Sequence, residues 1–185
     1  MAEKTTTVTE DHDVIRRIGA GDRMAFRSLV ERYRSPLFTF ILRMVRRPPV
    51  AEELVQETFV RAFRAAPRYK PTASVSTWLF HIAARLAMNE VARSHHIHEV
   101  MCDVPEIPAE TRGPLEELER KELTRTIENA LAQLPPQQRA AVVLARFEDM
   151  SYHEIGTVMG ISDGAVDGLL QRARQTLSTL LMSVL

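Results

Sequence analysis

The sequence predicts an all-α protein made of two small helical domains that are joined by a flexible linker. Apolar residues recur at helical spacing through most of the 185-residue chain. Proline, glycine and capping residues separate these periodic stretches. Between residues 95 and 114 the periodicity disappears, and prolines and a glycine accumulate as they do in linkers. We therefore place one domain at residues 1–94, a linker at 95–114 and a second domain at 115–185.

Composition and charge indicate a globular protein whose two halves differ in net charge. The chain is 45% hydrophobic and 26% charged, which is typical of a globular protein. Residues 1–100 contain 16 Lys and Arg against 11 Asp and Glu, whereas residues 101–185 contain 8 against 13. The first part of the chain is therefore the better binder of a polyanion.

Cysteine usage and hydropathy indicate the compartment. A single cysteine, Cys102, excludes an intramolecular disulfide, and the first residues lack the apolar core of a signal peptide. No apolar run approaches the roughly 18 residues that a transmembrane helix needs. We expect a cytoplasmic protein with no direct membrane insertion.

The first helices are predicted from caps and breaks. Residues 1–12 are polar, so we expect them to fray, and a short helix to begin at Asp13. Asp22 follows a glycine pair and can cap the next helix. The apolar residues that share a face of that helix are Phe26, Leu29, Val30 and Tyr33. Ser35-Pro36 then predicts a cap and a first-turn proline, and hence a new helix that ends at 46–49.

Residues 51–94 contain two amphipathic helices on either side of a basic, proline-marked loop. On the first helix, the residues at core-facing spacing are Val55, Phe59, Ala62 and Phe63. A second stripe of the same helix consists of Glu53, Gln56, Glu57, Val60 and Arg64. Ser74 or Ser76 can cap the second helix. We expect that helix to bury Leu79, Ile82, Ala83 and Leu86. Its opposite face presents Trp78, His81, Arg85 and Asn89.

The basic loop and the aromatic-basic face favour a nucleic-acid site. Aromatic rings stack on unstacked bases, and cationic side chains follow the phosphates. A tryptophan on a helix is, however, more often a core residue than a platform for a base. The pattern alone therefore leaves both interpretations of Trp78 open.

The second domain contains a predicted helix-turn-helix. Its first helix is marked by Leu115, Leu118, Leu123, Ile127, Leu131 and Leu134. A second helix runs through Val142, Val143, Leu144 and Phe147. Ser151 and Glu154 have capping-box spacing, Gly160 supplies a turn, and Ser162 can cap a last helix with Val166, Leu170 and Ala173 inward. A helix, a short glycine turn and a second helix form the layout that many DNA-binding domains use.

The linker contains a cluster of residues that are able to ligate zinc. Imidazole and thiolate are the donors that zinc prefers. The cluster consists of His95, His96, His98 and Cys102. Its spacing matches no standard zinc finger, so we predict a solvated or DNA-adjacent linker with no metal and no cofactor.

These motifs together resemble the extracytoplasmic-function (ECF) sigma factors of bacterial RNA polymerase. AEELVQETFVRAFR, RYKP and STWLFHIAARLAMNEVAR are similar to sigma region 2. Leu134-Pro135, Arg139 and SYHEIGTVMGIS are similar to region 4. The resemblance implies a non-enzymatic initiation factor without a small-molecule substrate. It also implies three partners, which are core RNA polymerase, promoter DNA and a cognate anti-sigma factor.

The resemblance further implies which residues bind these partners. The polymerase-binding residues would be Glu53, Gln56, Glu57 and Val60. The residues on the melted −10 strand would be Arg68, Tyr69, Lys70, Ser76, Thr77, Trp78, His81, Arg85 and Asn89. The residues on the −35 element would be Ser162, Gly164, Asp167, Gly168, Gln171 and Arg172.

Two departures from the family pattern leave alternatives open. Arg85 stands where the family commonly has an asparagine, and Asp167, Gly168 and Leu169 replace basic and hydroxyl residues. Residues 151–185 contain two arginines against three acidic residues, which is unfavourable for binding duplex DNA. One alternative is therefore a sigma-like interaction protein with weakened or altered −35 recognition, regulated by an anti-sigma factor. Another is a free-standing helix-turn-helix regulator that acts without polymerase.

Overall fold

The computed structural model describes residues 2–94 and 114–182, with side chains from 11–94 and 122–182. Within those ranges the regular structure is helical, which confirms the all-α prediction. The eight α-helices are α1 (Ala2–Gly19), α2 (Arg23–Val45), α3 (Pro48–Ala65), α4 (Val75–Ser94), α5 (Pro114–Ala132), α6 (Pro136–Phe147), α7 (Tyr152–Met159) and α8 (Asp163–Met182). A 3₁₀ turn, Ala66–Arg68, follows α3. None of the described helices has the length and hydrophobicity that crossing a bilayer requires.

The N-terminal helix is longer than predicted. The expectations that residues 1–12 fray and that the helix begins at Asp13 are wrong, because α1 begins at Ala2, the second residue of the chain. Asp11 is only 7% exposed; it accepts a 2.7 Å hydrogen bond from the Tyr33 hydroxyl and pairs with Arg32. The buried apolar residues of this helix are Ile15 and Ile18. These long-range contacts to α2 stabilise α1, and local sequence does not reveal them.

Helix α2 runs without interruption through the predicted break at Ser35-Pro36. Pro36 lies inside the helix, so the predicted new start there is wrong. Proline removes one backbone hydrogen bond, the one that would go to the carbonyl of Arg32. The buried residues on both sides of it lie on one face: Leu29, Tyr33, Leu37 and Phe40. Packing of this continuous face keeps the helix intact.

The predicted caps of α2 and α4 are confirmed. The Asp22 carboxylate accepts hydrogen bonds from two backbone N–H groups of the first turn of α2, at 2.9 and 3.0 Å. Arg46 adopts a left-handed conformation, with φ 55°, and ends α2. Of the two serines that were able to cap α4, Ser74 does so, because its Oγ accepts from the Thr77 N–H at 3.1 Å.

The helix-turn-helix has the predicted local structure. Ser151 and Glu154 form a reciprocal capping box at the start of α7. Gly160 ends α7 with φ 69°, a left-handed conformation that favours glycine. Ser162 accepts from the backbone of the first turn of α8 at 3.3 Å. The predicted inward residues of α8 are buried: Val166, Leu170 and Ala173.

Most of the apolar residues that mark the predicted helices are buried, but four are not. The buried ones include Val55, Phe59, Ala62, Leu79, Ala83, Leu86, Leu131, Leu134, Val143 and Leu144, and Ile82 and Val142 are half-buried. The prediction that Phe63 faces the core is wrong, since its side chain is 44% exposed. Three residues that mark α5 and α6 are exposed as well: Leu123, Ile127 and Phe147, at 57, 37 and 40%. Periodicity identifies a helix face but not how far a partner helix covers it. Leu115 and Leu118 lie outside the described side chains.

The predicted linker, 95–114, lies outside the described residues except for Pro114, which is the first residue of α5. The histidine and cysteine cluster at 95–102 also lies outside them. We call residues 2–94 the N-terminal module and residues 114–182 the C-terminal module.

The two modules pack against each other. Helix α4 contacts α6 and α7, and α2 contacts α5 and α6. Their buried side chains form one continuous cluster that includes Leu79 and Ala84 of α4 with Ile155 and Val158 of α7. Helix α4 is therefore central, with neighbours from both modules.

Candidate nucleic-acid and polymerase interfaces

An open groove of about 520 Å³ lies where α3 ends, the 3₁₀ turn passes and α4 begins. Its lining residues are Arg61, Arg64, Ala65, Arg68, Tyr69, Lys70, Thr72 and Trp78. We call it the basic groove. Four of these side chains are cationic and two are aromatic rings. Cations that neutralise phosphates, beside rings that stack on bases, are the features that hold single-stranded nucleic acid.

Two of the four cations lie outside the DNA-binding set that the sequence predicts. Arg61 belongs to no predicted site, and Arg64 shares the stripe of α3 that carries Glu53 and Glu57. Together with Arg68 they occur at positions i, i+3 and i+7, which brings them to one side at the end of α3. This spacing, just before a basic loop, is the sequence signal that indicates a role for Arg61 and Arg64 in the groove. Arg61 also donates a 2.7 Å hydrogen bond to Glu57.

Tyr69 and Trp78 form the aromatic part of the groove. Their ring centroids are 4.8 Å apart and their planes are tilted by 56°. Both side chains are half-buried and pack against the core, so Trp78 is a core residue on one side and a groove residue on the other. Burial raises the pKa of the Tyr69 hydroxyl, and the charge of Asp11 raises it further. The ring therefore stays neutral and does not repel phosphate.

A smaller groove of about 180 Å³ adjoins the basic groove and shares Tyr69, Lys70, Thr72 and Trp78 with it. His81 lines it from α4, and Thr157 lines it from α7. The Nδ1 atom of His81 lies 2.9 Å from the carbonyl oxygen of Val158. Because a carbonyl only accepts, Nδ1 must be the donor. One wall of this groove thus belongs to the C-terminal module.

The predicted −10 residues do not all converge. Six line one groove or both: Arg68, Tyr69, Lys70, Thr77, Trp78 and His81. The other three, Ser76, Arg85 and Asn89, line neither of these two grooves. Thr77 is only 1% exposed, and its hydroxyl lies 2.8 Å from that of Ser74. Its side chain supports the start of α4 and offers little surface to a strand.

The predicted polymerase-binding stripe lies on the surface of α3. Glu53, Gln56 and Val60 are exposed, and Glu57 is half-buried beside Arg61. The opposite face of the helix is in the core. Helix α3 therefore presents an acidic-polar stripe along its middle and arginines at its end.

Helix α8 offers few groups to a DNA groove. The Asp167 carboxylate accepts a 2.9 Å hydrogen bond from the Gln171 amide. The guanidinium of Arg172 folds back over Gly168, at 3.4 Å from where a Cβ atom would stand. Leu169 is 8% exposed and packs inward. Ser162 and Gly164 are exposed at the start of the helix.

Comparison with known proteins places these features in a family. Residues 29–96 match the family "Sigma-70 region 2", and residues 124–177 match the family "Sigma-70, region 4". The RNA polymerase sigma-H factor of Pseudomonas aeruginosa is 31% identical over 97% of both chains. The ECF RNA polymerase sigma factor SigE of Mycolicibacterium smegmatis is 35% identical over 85% of this chain and 63% of its own length.

Solved structures agree with the sequence comparisons. CnrH in complex with the cytosolic domain of CnrY superposes with a TM-score of 0.71 and 26% identity, over 94% of this chain and 97% of that one. A helical module with a basic-aromatic groove, followed by a helix-turn-helix, defines a DNA-binding transcription factor. The chain belongs to the ECF RNA polymerase sigma factors of the sigma-70 family. It is a promoter-recognising initiation factor.

Proposed function

We propose that the basic groove holds the melted non-template strand of the −10 element during initiation. The observation that supports this role is the convergence of four cations and two aromatic rings on one open groove. Taking a base out of its stack costs a few kcal/mol. Stacking on an aromatic side chain returns about 1–3 kcal/mol per base, so stacking on Tyr69 or Trp78 would offset much of that cost.

Neutralising Arg64 and Arg68 tests this assignment. We expect Arg64→Ala with Arg68→Ala to weaken binding of a single-stranded −10 oligonucleotide by the reconstituted holoenzyme. Each lost phosphate contact lowers the salt slope by about 0.7, so two lower it by about 1.4. Fluorescence anisotropy across a salt series measures both quantities.

The matched control removes two exposed arginines outside the groove, Arg16→Ala with Arg27→Ala. This control has the same change in net charge and should leave affinity and slope nearly unchanged. If both double variants behave alike, the groove is not the strand site and only bulk charge matters.

The remaining roles follow from the same proposal. The stripe of Glu53, Gln56, Glu57 and Val60 would bind the coiled coil of the largest polymerase subunit, and α8 would lie in the −35 major groove. Residues 1–94 and 115–185 would act as the two anchors. Because catalysis belongs to the polymerase, we propose a cytoplasmic, non-enzymatic factor. CnrH was solved with a protein partner, CnrY, and we propose that an anti-sigma factor likewise binds this chain.

A second candidate is a sigma-like factor with weakened or altered −35 recognition. The observation that favours it is the surface of α8, where Gln171 is hydrogen-bonded to Asp167 and Arg172 folds over Gly168. A duplex binder needs cations that reach phosphates. Transcription by purified core enzyme from promoters with and without a −35 element separates the two candidates.

A further inference from the structure

Helix α1 precedes residue 29, where the match to sigma-70 region 2 begins. It nevertheless packs against the 3₁₀ turn and contacts the tyrosine of the basic groove. We propose that α1 is a positioning element for the strand-binding groove and that His12 is the positioning residue that fixes Tyr69. This inference rests on the proposed function of the groove.

His12 contacts Tyr69 in two ways. Its Nδ1 atom lies 2.8 Å from the Tyr69 hydroxyl, and the two rings are stacked with centroids 5.8 Å apart. The Tyr69 hydroxyl also lies 3.3 Å from the carbonyl oxygen of Ala73. Tyr69 in turn lies against Trp78, so three rings follow one another from α1 into the groove. Both ends of the Tyr69 side chain are thereby held.

The position of His12 is itself fixed by contacts on both sides of it. One residue earlier, the buried Asp11 carboxylate binds Tyr33 and Arg32 of α2. At the other end of α1, Gly19 lies against the 3₁₀ turn. A Cβ atom at Gly19 would stand 3.1 Å from the Ala66 oxygen and 3.2 Å from the Pro67 Cα, so the close approach favours glycine. Helix α1 is therefore anchored to α2 and to the turn that precedes Tyr69.

This arrangement orders the groove before a strand arrives. A free tyrosine side chain must lose rotational freedom when a base stacks on it, and that loss weakens binding. A ring that is already held by His12 and Trp78 does not incur the loss again. We therefore expect the contact of His12 with Tyr69 to increase affinity for the strand, although His12 itself does not line the groove.

The test is a double-mutant cycle in the full-length chain, assembled with core polymerase. The probe is a single-stranded −10 oligonucleotide that carries 2-aminopurine, whose fluorescence reports stacking. Loss of one hydrogen bond is expected to lower affinity by about threefold to tenfold in His12→Ala. Tyr69→Phe should have a similar effect, and the double variant should be no worse than either single one. His12→Asn, whose amide can replace Nδ1, should restore binding.

Asp13→Ala is the matched control, because Asp13 is the next residue, is exposed and pairs with Arg16. It should leave oligonucleotide binding unchanged. Core-polymerase affinity should remain constant in every variant, and the thermal midpoint should fall by no more than about 4 °C, the loss expected from one hydrogen bond, since a damaged fold would lower both much further.

Three results overturn the inference: unchanged binding in His12→Ala, strictly additive effects in the double variant, or a failure of His12→Asn to restore affinity. If Arg64→Ala with Arg68→Ala also has no effect, the groove itself is wrongly assigned. If those arginines matter and His12 does not, the proposed function stands and only the role of α1 is lost.

Discussion

Glu148, the residue that follows α6, is half-buried, and its pKa is influenced by one positive and one negative neighbour. Burial raises the pKa of its carboxyl to about 7 from an ordinary value of 4.5. The Arg43 guanidinium lowers this pKa and the Asp149 carboxylate raises it further, but burial is the largest influence. Below about pH 7 the neutral acid is therefore the major form of Glu148 in the folded state.

The pH dependence of stability follows from this shift. The folded state holds the Glu148 proton more tightly than the unfolded state, so stability falls as pH rises from about 4.5 to about 7 and is level above that. Glu148→Gln should remove this component and stabilise the protein at pH 8 relative to wild type, with little change at pH 4.5. Urea unfolding at the two pH values measures the difference. A variant whose pH profile parallels that of wild type would contradict the assignment.

Charge reversal tests the polymerase-binding stripe at the level of two residues. Glu53→Lys with Glu57→Lys should weaken binding to core polymerase without unfolding the chain. The change at exposed Glu53 should move stability by about 0.5 kcal/mol or less, and loss of the surface pair of Glu57 with Arg61 should cost about 1 kcal/mol or less. The control, Glu31→Lys with Glu122→Lys, makes the same change at exposed positions elsewhere. A pull-down in which the two double variants retain equal amounts of polymerase would remove the stripe from the interface.

Helix α8 has the local structure of a recognition helix, but its outer face carries few groups that could bind DNA. Its capped start, glycine turn and buried inner face are those of a recognition helix. The outer face carries Asp167, whose negative charge would repel phosphates if α8 lies in the −35 groove as proposed. We therefore expect binding at −35 to depend on tethering to the first module, since a linked site experiences an effective concentration of about millimolar.

Asp167→Lys tests that account of α8. It should strengthen binding of the full-length chain to a −35 duplex and steepen the salt slope by about 0.9, the contribution of one added phosphate contact. Asp13→Lys makes the same charge change on α1 and is the control. Fluorescence anisotropy over a salt series gives both quantities. Tight, sequence-selective binding by wild type that Asp167→Lys abolishes would instead show that this carboxylate accepts from a cytosine.

The two modules are held together by buried polar contacts as well as by the shared core. Arg43 of α2 donates a 2.9 Å hydrogen bond to Glu128 of α5, and both side chains are below 10% exposed. The same guanidinium lies 3.7 Å from the centroid of the Phe147 ring. Arg139 of α6 donates to the carbonyl oxygen of Met44 at 2.8 Å. In this closed arrangement α7 forms one wall of the smaller groove.

Removing one partner of the buried ion pair should open this arrangement. Glu128→Ala leaves the Arg43 charge without its carboxylate, a change that typically costs about 3–5 kcal/mol. We expect a lower free energy of unfolding and a larger radius of gyration in X-ray scattering. Glu31→Ala breaks an exposed pair with Arg27 and should cost about 1 kcal/mol or less. An unchanged radius in Glu128→Ala would mean that the apolar core alone holds the modules together.

Features that depend on local chemistry are predictable from the amino-acid sequence. Caps at Asp22 and Ser151 and the turn at Gly160 are predictable because each satisfies backbone groups only a few residues away. Helical periodicity likewise identified the all-α class and the buried faces of α3, α4 and α8. The basic-aromatic loop was recognised because its residues are adjacent in the chain.

Features that depend on residues far apart in the chain are set by the packing of the helices and could not be predicted from local sequence. Helix α1 is anchored by Asp11 to Tyr33, and α2 continues through Pro36 because its buried face is continuous. The contacts of His12 with Tyr69 and of His81 with Val158 join segments separated by 57 and 77 residues. Periodicity reports how a helix faces a core, whereas which neighbour covers each position is set by the packing of all helices together.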